Sequence, residues 1–177
     1  MNRLFNRHPD WIRSISATTR KPRVEEKNGR DYEFVTEREF ILLRQKEELL
    51  EWAEIFGKFY GTPKKQIKDA TEDGKLVVLT IDIQGARSIR KVLKNKIPFL
   101  SIFILPPSIP VLRERLEKRQ TDTPADIEKR IERAEEEIKA AKEYDATVIN
   151  HDLSETVHEI EDLISKFQSK LTVESLK

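Results

Sequence analysis

The chain has no cysteine among its 177 residues. This absence excludes disulfides, thiolate metal sites and a cysteine nucleophile. The three histidines, at positions 8, 151 and 158, lack the spacing of metal ligands. We therefore expect no metal held by protein side chains alone, and no zinc hydrolase chemistry.

Long apolar runs are missing as well. No stretch approaches the roughly 20 apolar residues that a membrane-spanning helix needs. Residues 1–8 contain no apolar stretch of the kind found in signal peptides. We therefore expect a cytoplasmic protein with no membrane partner.

An excess of charge of either sign is also absent, because 33 basic and 32 acidic residues cancel to a net charge of +1. A near-neutral chain is not expected to have a nucleic-acid partner. Balanced charge over 37% of the residues suits solvated helices better than a disordered chain. At this length roughly 70% of the unfolded surface can be buried, which is enough for one domain with or without a small insertion.

Glycine is scarce, and the few glycines do not form a phosphate-binding loop. The pattern G-x-x-x-x-G-K-[ST] is absent. The only Gly-Lys pairs, Gly57-Lys58 and Gly74-Lys75, are followed by neither serine nor threonine. The sequence therefore lacks the usual loop for the phosphates of ATP.

Apolar patterning predicts an α/β domain. Residues 76–81 and 99–105 are almost unbroken apolar runs, typical of parallel strands covered on both faces. Helical patterns alternate with them, including a capping box at Thr36 and Glu39 and an apolar stripe through Ile127 and Ile131. This alternation predicts three layers, with helices on both faces of a parallel sheet. Residues 14–61 are instead rich in turns, which predicts a small inserted antiparallel subdomain.

The densest polar cluster lies between Ser16 and Tyr32, with Arg20 and Arg23 separated by a rigid Pro22. Arginines bind phosphate through paired hydrogen bonds, and neighbouring hydroxyls add donors. The cluster therefore has two interpretations, a phosphate clamp or a solvated basic turn.

Two carboxylates are candidates for reading a base. Glu51 is either an exposed carboxylate or a group that accepts hydrogen bonds from N1–H and the N2 amine of guanine, which adenine cannot offer. Asp82 follows an apolar strand at the end where open α/β sheets bind ligands. A carboxylate there is costly without a polar partner, so we favour a ligand-binding role. Trp52, beside Glu51, is expected to pack in a core.

A third cluster is rich in arginine and follows residue 112. Arg115, Arg119 and Arg130 flank a Thr-Asp-Thr-Pro break between two helical patterns. They suit a lid that closes over a polyphosphate. Interleaved glutamates such as Glu114 and Glu128 equally suit a salt-bridged surface helix.

Together these motifs resemble the guanylate kinase family over about residues 1–170. Residues 18–34 fit the family's signature at each defining position. Shorter motifs follow in the family's order and spacing: Glu51-Trp52-Ala53, Tyr60-Gly61-Thr62, Ile81-Asp82-Ile83-Gln84-Gly85, Ile104-Leu105-Pro106-Pro107-Ser108 and Val148-Ile149-Asn150.

The resemblance implies a function, a fold and a division of the chain. The implied reaction transfers the γ-phosphoryl group of ATP to GMP, giving ADP and GDP, with Mg²⁺ accompanying ATP. The implied fold is a P-loop-type parallel sheet with an inserted mixed-β GMP-binding subdomain and a helical lid. Residues 1–13 and 75–177 would form the core, with the lid at about 110–130, and residues 14–74 the GMP-binding subdomain with its connection back to the core.

The resemblance also implies roles for single residues. The GMP phosphate would be held by Ser16, Arg20, Arg23, Tyr32 and Tyr60. Guanine or its surroundings would be read by Glu51, Thr62 and Asp82. Arg115, Arg119 and Arg130 match the catalytic lid arginines, the first two of which also contact ATP, and Asn150 falls where the family contacts adenine.

The main departure from the family is the absent loop. In the family, a strand and this loop precede a helix that ends in a segment like residues 2–10. We therefore expect about 15–25 residues to be missing before Met1, judged by the length of a strand, loop and helix start. We further expect little or no kinase activity and poor folding of the chain as given, and that an upstream extension containing the loop would restore both. Two alternatives remain open: a guanylate-kinase-like module that binds phosphorylated peptides, and a GMP-binding regulator without phosphoryl transfer.

Overall fold

The computed structural model describes residues 2–94, 96–118 and 123–175. The chain divides into two compact units, residues 1–96 and residues 97–177. Arg119, one of the predicted lid arginines, lies outside the described residues.

The first unit alternates short strands with helices. Its elements are α1 (Asn2–Arg7), β1 (Ile12–Arg13), β2 (Ala17–Thr18), β3 (Glu33–Phe34), α2 (Glu37–Gln45), β4 (Leu49–Ile55), β5 (Lys58–Pro63), α3 (Lys64–Glu72), β6 (Val77–Val78) and α4 (Ile83–Leu93).

Four of these strands form a mixed sheet in the order β3-β2-β5-β4. The predicted antiparallel pairing is confirmed for β2 with β5 and for β4 with β5, whereas β2 and β3 run parallel. Strands β4 and β5 are joined by Phe56 and Gly57, which both have positive φ. Two central residues with positive φ are the requirement of a type I′ hairpin turn.

Side chains along the hairpin alternate between two faces. We call the face that packs against α2 the core face, and the face that carries Glu51, Tyr60 and Thr62 the polar face. In the β4–β5 register, Glu51 lies opposite Thr62 and Ala53 opposite Tyr60. Because residues two apart share a face, Glu51, Tyr60 and Thr62 lie on the same side of the sheet. Trp52, between them in sequence, belongs to the other side.

The core face of the sheet packs against α2. Phe40 of α2 is 1% exposed and stacks on Phe59 with ring centroids 5.4 Å apart. Ala17 and Leu49 complete the buried cluster. A Cβ on Gly61 would stand 2.9 Å from Leu49 Cδ1 and 3.1 Å from Phe40, so this close packing needs glycine.

Helix α2 begins as the sequence predicts. The Thr36 hydroxyl accepts from the Glu39 N–H, and the Glu39 carboxylate accepts from the Thr36 N–H, which completes the capping box. Such caps typically stabilise a helix by about 1 kcal/mol.

A separate parallel pair, β1 and β6, leads the chain into α4. The apolar run at 76–81 forms regular strand only at Val77 and Val78, and the chain then reaches Asp82, the N-cap of α4. Helix α4 therefore begins at Ile83.

The second unit also joins parallel strands through helices. Its elements are β7 (Ile102–Leu105), α5 (Ile109–Lys118), α6 (Pro124–Lys139), a short 3-10 helix (Ala140–Glu143), β8 (Ala146–Ile149) and α7 (Leu153–Ser175). Strands β7 and β8 pair in parallel.

Helices α5 and α6 pack through the predicted apolar stripe. Ile127 and Ile131 are buried against Leu116. Strand β7 differs from the expectation of cover on both faces, because Ile104 is 46% exposed. Side chains alternate between the two faces of a strand, and within the described residues the face that carries Ile104 is left open. No helix in the described ranges is both long and apolar enough to cross a membrane.

Candidate functional site

The polar face of the β4–β5 hairpin holds a buried carboxylate. Glu51 is 8% exposed, and its Oε1 accepts a hydrogen bond of 2.6 Å from the Thr62 hydroxyl. The two residues face each other across the hairpin, so the strand register itself brings them together. Of the two interpretations of Glu51, the exposed carboxylate is excluded.

Three influences act on the protonation of Glu51. Burial raises the pKa of its carboxyl, the hydrogen bond from Thr62 lowers that pKa in part, and the negative charge of Asp82 raises it. The ionised form of Glu51 is therefore destabilised by its surroundings. An uncharged partner that donates several hydrogen bonds would stabilise it.

Asp82 lies close enough to Glu51 to act on its charge, and it also caps α4. Its Oδ1 accepts the Gly85 N–H at 2.8 Å. Gly85 in turn lies against the Glu51 carboxylate, since a Cβ on Gly85 would stand 2.6 Å from Glu51 Oε2. The first turn of α4 thus borders the buried carboxylate.

A second group of site residues surrounds the Arg20 guanidinium. Arg20 donates from both terminal nitrogens to the two oxygens of Glu26, at 2.9 Å each. The pair is largely sheltered, with side-chain exposures of 20% and 17%. Hydrogen bonds from Arg20 lower the pKa of the Glu26 carboxyl, so this pair is ionised over the ordinary pH range.

Aromatic rings flank this arginine. The Arg20 guanidinium lies 5.3 Å from the ring centroid of Tyr32, within the range of a cation–π contact. Tyr32 meets Tyr60 edge to face at 6.1 Å. Glu26 is the main cause that raises the pKa of the Arg20 guanidinium, and Tyr60 adds a smaller contribution. The structure therefore brings Arg20, Tyr32 and Tyr60 together, as a shared phosphate site requires.

The two remaining residues of the predicted phosphate clamp lie at its edges. Arg23 is exposed, and its backbone N–H donates to Glu26 Oε2 at 2.7 Å. Ser16 is half-buried just before β2, where its carbonyl accepts from the Glu33 N–H. Glu26 therefore contacts two residues of the predicted phosphate clamp, a role that its place three residues after Arg23 in the sequence did not reveal.

Trp52 does not pack in a core as predicted. It is 41% exposed, with the Arg44 guanidinium 4.8 Å above its ring. The reason is its place on the hairpin. Its ring meets the Phe59 ring at an angle of 68° with centroids 6.2 Å apart, and the buried cluster on that face is formed by Phe40 and Leu49 with Ala17.

The second unit contains the predicted ATP-side residues. Arg115 donates to the His151 carbonyl at 3.2 Å. The Nε of Arg130 is buried in α6. Asn150 directly follows β8, where its N–H donates to the Leu105 carbonyl and its Oδ1 accepts from Thr156.

Neighbouring charges on α5 and α6 form ion pairs, as the surface-helix interpretation predicts. Arg113 pairs with Glu128 between the two helices, and Arg133 pairs with Glu137 along α6. Both pairs link residues outside the predicted lid set. Across the described ranges, no group of three or more His, Cys, Asp or Glu side chains is placed to hold a metal ion.

Known proteins resemble this chain along most of its length. Residues 1–167 match the family described as guanylate kinase. A guanylate kinase of Synechocystis sp. is 44% identical over 163 residues, covering 92% of this chain and 84% of the relative. A guanylate kinase of Prochlorococcus marinus is 45% identical over 164 residues, covering 93% of this chain and 88% of the relative.

Solved structures agree with these relatives. The crystal structure of guanylate kinase from Anaplasma phagocytophilum superposes with a TM-score of 0.79 at 35% identity, covering 93% of this chain and 78% of that one. The predicted α/β fold class is thereby confirmed. Family match, relatives and fold agree, and the chain belongs to the guanylate kinase family.

Proposed function

We propose that the chain is an ATP:GMP phosphotransferase that binds GMP in its first unit. The observation that carries this proposal is the buried Glu51 carboxylate, held by Thr62 on the same sheet face as Tyr60. The family relationship supplies the reaction class, and the residues of this face supply the acceptor site.

Guanine recognition follows from the charge and the hydrogen-bonding edge of Glu51. A carboxylate only accepts hydrogen bonds, and guanine offers donors at N1–H and the N2 amine. Adenine presents an acceptor at N1 and has no N2 amine, so it would leave the buried charge unpaired. A site built in this way can reject the wrong base by roughly 10⁴-fold. We propose that Thr62 and Asp82 complete the surroundings of the base.

We assign the acceptor phosphate to the cluster around Arg20. Arg20 and Arg23 supply cationic donors, and the hydroxyls of Ser16, Tyr32 and Tyr60 supply neutral ones. Glu26 holds the Arg20 guanidinium in one orientation, with both terminal nitrogens engaged. We propose that this orientation presents the remaining N–H groups to a phosphate.

The donor side of the reaction is assigned to the second unit. We propose Arg115, Arg119 and Arg130 as lid arginines, with the lid at about residues 110–130, and Asn150 as the adenine contact. A GMP phosphate oxygen would attack the γ-phosphorus of ATP in line, and the bond to the β–γ bridging oxygen would break to release ADP. Positioning and charge stabilisation carry such transfers, without a covalent intermediate.

Mg²⁺ fits this proposal as a companion of ATP. Magnesium is usually held by phosphate oxygens and water with only one or two protein carboxylates. Within the described residues no group of three or more His, Cys, Asp or Glu side chains is placed to hold a metal ion, and Asp82 is a single carboxylate that could contact magnesium-bound water. When bound, the ion would neutralise charge on the phosphates of ATP.

The absent phosphate-binding pattern favours a second candidate. Without G-x-x-x-x-G-K-[ST] in these 177 residues, the nest of N–H groups that usually cradles the β- and γ-phosphates is not encoded here. A GMP-binding module that transfers no phosphoryl group is therefore the alternative. A binder of phosphorylated peptides would use the same Arg20 cluster and would not need Glu51.

The two candidates are separated by following product. The chain is incubated with ATP, Mg²⁺ and either GMP or AMP, and GDP and ADP are quantified by chromatography. We expect GDP from GMP, at a low rate because the phosphate-binding pattern is absent, and no product from AMP. GMP binding without any GDP, both from this chain and from a chain extended upstream with the phosphate-binding loop, would establish the non-catalytic module. Binding of a phosphoserine peptide without GMP binding would establish the peptide binder.

A further inference from the structure

Gly85 stands where a Cβ would collide with the Glu51 carboxylate as it is placed. A Cβ on Gly85 would lie 2.6 Å from Glu51 Oε2 and 3.1 Å from its Cδ. Real Cβ atoms do not approach other atoms to 2.6 Å, so any side chain here forces the carboxylate to move. The displaced group is the free end of a flexible side chain, which can move without disturbing the backbone.

The Glu51 carboxylate is confined from two directions. Its Oε1 is held by the Thr62 hydroxyl at 2.6 Å, and its Oε2 lies 2.6 Å from the position that a Cβ on residue 85 would occupy. Glu51 is also almost fully buried. A shift away from residue 85 would therefore strain or break the Thr62 hydrogen bond and change where the carboxylate points.

Backbone conformation does not require glycine at position 85. The glycines with positive φ are Gly29, Gly57 and Gly74, whereas Gly85 lies in the first turn of α4. Alanine is the strongest helix former, whereas glycine is among the least favourable residues inside a helix. The N–H of residue 85 would still donate to Asp82 after such a substitution. Glycine at this position is thus unfavourable for the helix and is explained by the space it leaves.

We propose that Gly85 is a positioning residue for guanine specificity. Its missing side chain leaves the space in which the Glu51 carboxylate stands, aligned for the N1–H and N2 amine of guanine. The inference rests on the proposed function, because it concerns the same base-reading site, and it adds a residue that acts through Glu51 without touching the nucleotide.

The test is Gly85→Ala, measured with GMP and with IMP, which lacks the N2 amine. Displacing the carboxylate removes up to two hydrogen bonds from GMP and only one from IMP. We expect GMP affinity to fall by about 10–100-fold, IMP affinity to fall less, and the GMP:IMP affinity ratio to decrease. Thermal unfolding without nucleotide should occur at an equal or higher temperature than in the wild type.

Three further variants connect the effect to Glu51: Glu51→Ala, the double variant with Gly85→Ala, and a control. In a Glu51→Ala background the displaced carboxylate is gone, so adding Gly85→Ala should leave the GMP:IMP ratio unchanged. Lys91→Ala, at an exposed position of the same helix, is the matched control and should alter neither ratio nor affinity. A double-mutant cycle over the wild type, Gly85→Ala, Glu51→Ala and the double variant then isolates the coupling between positions 51 and 85.

The possible outcomes separate this inference from the proposed function. A wild-type chain that does not prefer GMP to AMP would overturn the proposed function and the inference with it. A GMP-selective wild type with an unchanged ratio in Gly85→Ala would overturn the inference alone. If Gly85→Ala lowers stability equally with and without Glu51, the 3.2 Å contact with Ile81 dominates and the inference is wrong. A decreased GMP:IMP ratio in a Gly85→Ala variant that unfolds at an equal or higher temperature than the wild type would support it.

Discussion

Two glutamates of the first unit meet opposite environments. Glu51 is buried beside a hydroxyl and a second carboxylate, and burial raises its pKa. Glu26 shares two hydrogen bonds with the Arg20 guanidinium, and these lower its pKa. The surroundings therefore destabilise the charged form of the glutamate at position 51 and stabilise it at position 26.

The difference indicates that Glu26 and Glu51 have different roles. Glu26 already has its partner within the protein and stabilises the local structure. Glu51 has one hydroxyl and lacks a cationic partner among the contacts described above, so an external donor is the group that completes it. Unfavourably placed charge in a folded protein is a marker of a binding site. The comparison thus supports our proposal that Glu51 recognises the ligand and that Glu26 stabilises the neighbouring arginine.

The largest effect is expected for Glu51→Gln on nucleotide binding. The amide keeps the size of the side chain but places an NH₂ group against the donors of guanine. We expect GMP affinity to fall by roughly 100-fold, the loss of one or two hydrogen bonds to a charged group. Calorimetric titration with GMP measures it, with Lys91→Ala as control. An unchanged affinity would show that Glu51 does not read the base.

The next effect is a difference in sign between two stability changes. At pH 7, Glu51→Gln removes a buried charge and should raise the free energy of unfolding. Glu26→Gln breaks a sheltered ion pair and should lower it by up to about 1 kcal/mol. Urea unfolding of both variants beside the wild type checks the signs. Two changes of the same sign would contradict the comparison.

The pH dependence of these differences should also be opposite. The raised pKa of Glu51 means that its contribution to stability is fully present below its unfolded pKa and is lost as pH rises through the folded one. The lowered pKa of Glu26 means that its contribution is present above its unfolded pKa and is lost as pH falls through the folded one. The free energy of unfolding of each variant should therefore approach that of the wild type at acidic pH, near or below the ordinary glutamate pKa of about 4.3. A difference in the free energy of unfolding that persists at acidic pH would contradict the opposite pKa shifts of Glu51 and Glu26.

The smallest effect is expected in the second unit. The pair of Arg113 and Glu128 links α5 to α6 at the surface, where ion pairs contribute little. Arg113→Gln should leave GMP affinity unchanged and move the unfolding midpoint only slightly, more at low salt than at high salt. A loss of GMP affinity comparable to that of Glu51→Gln would show that binding is not confined to the first unit.

Local signals in the sequence predicted much of the fold. The capping box at Thr36 and the apolar stripe through Ile127 and Ile131 appear where expected, because both arise from side chains three or four residues apart. The β4–β5 turn was harder to predict, since Phe56 occupies a positive-φ position where Asn, Asp or Gly is the usual signal.

The site was only partly predictable for a related reason. The resemblance named Glu51, Thr62 and Asp82, but hairpin register decides that Thr62 faces Glu51 and that Trp52 turns to the opposite face. The contacts of Gly85 with Glu51, and of Glu26 with Arg20, depend on how the chain returns in space. Such contacts have no signature in residue type.

The most direct test of the account is a calorimetric titration of the folded chain with GMP and, separately, with AMP. The account predicts saturable GMP binding and AMP binding at least about 100-fold weaker, since adenine would leave the buried carboxylate unpaired. Equal binding of the two nucleotides, or no binding of either by a folded chain, would contradict the claim that Glu51 reads guanine.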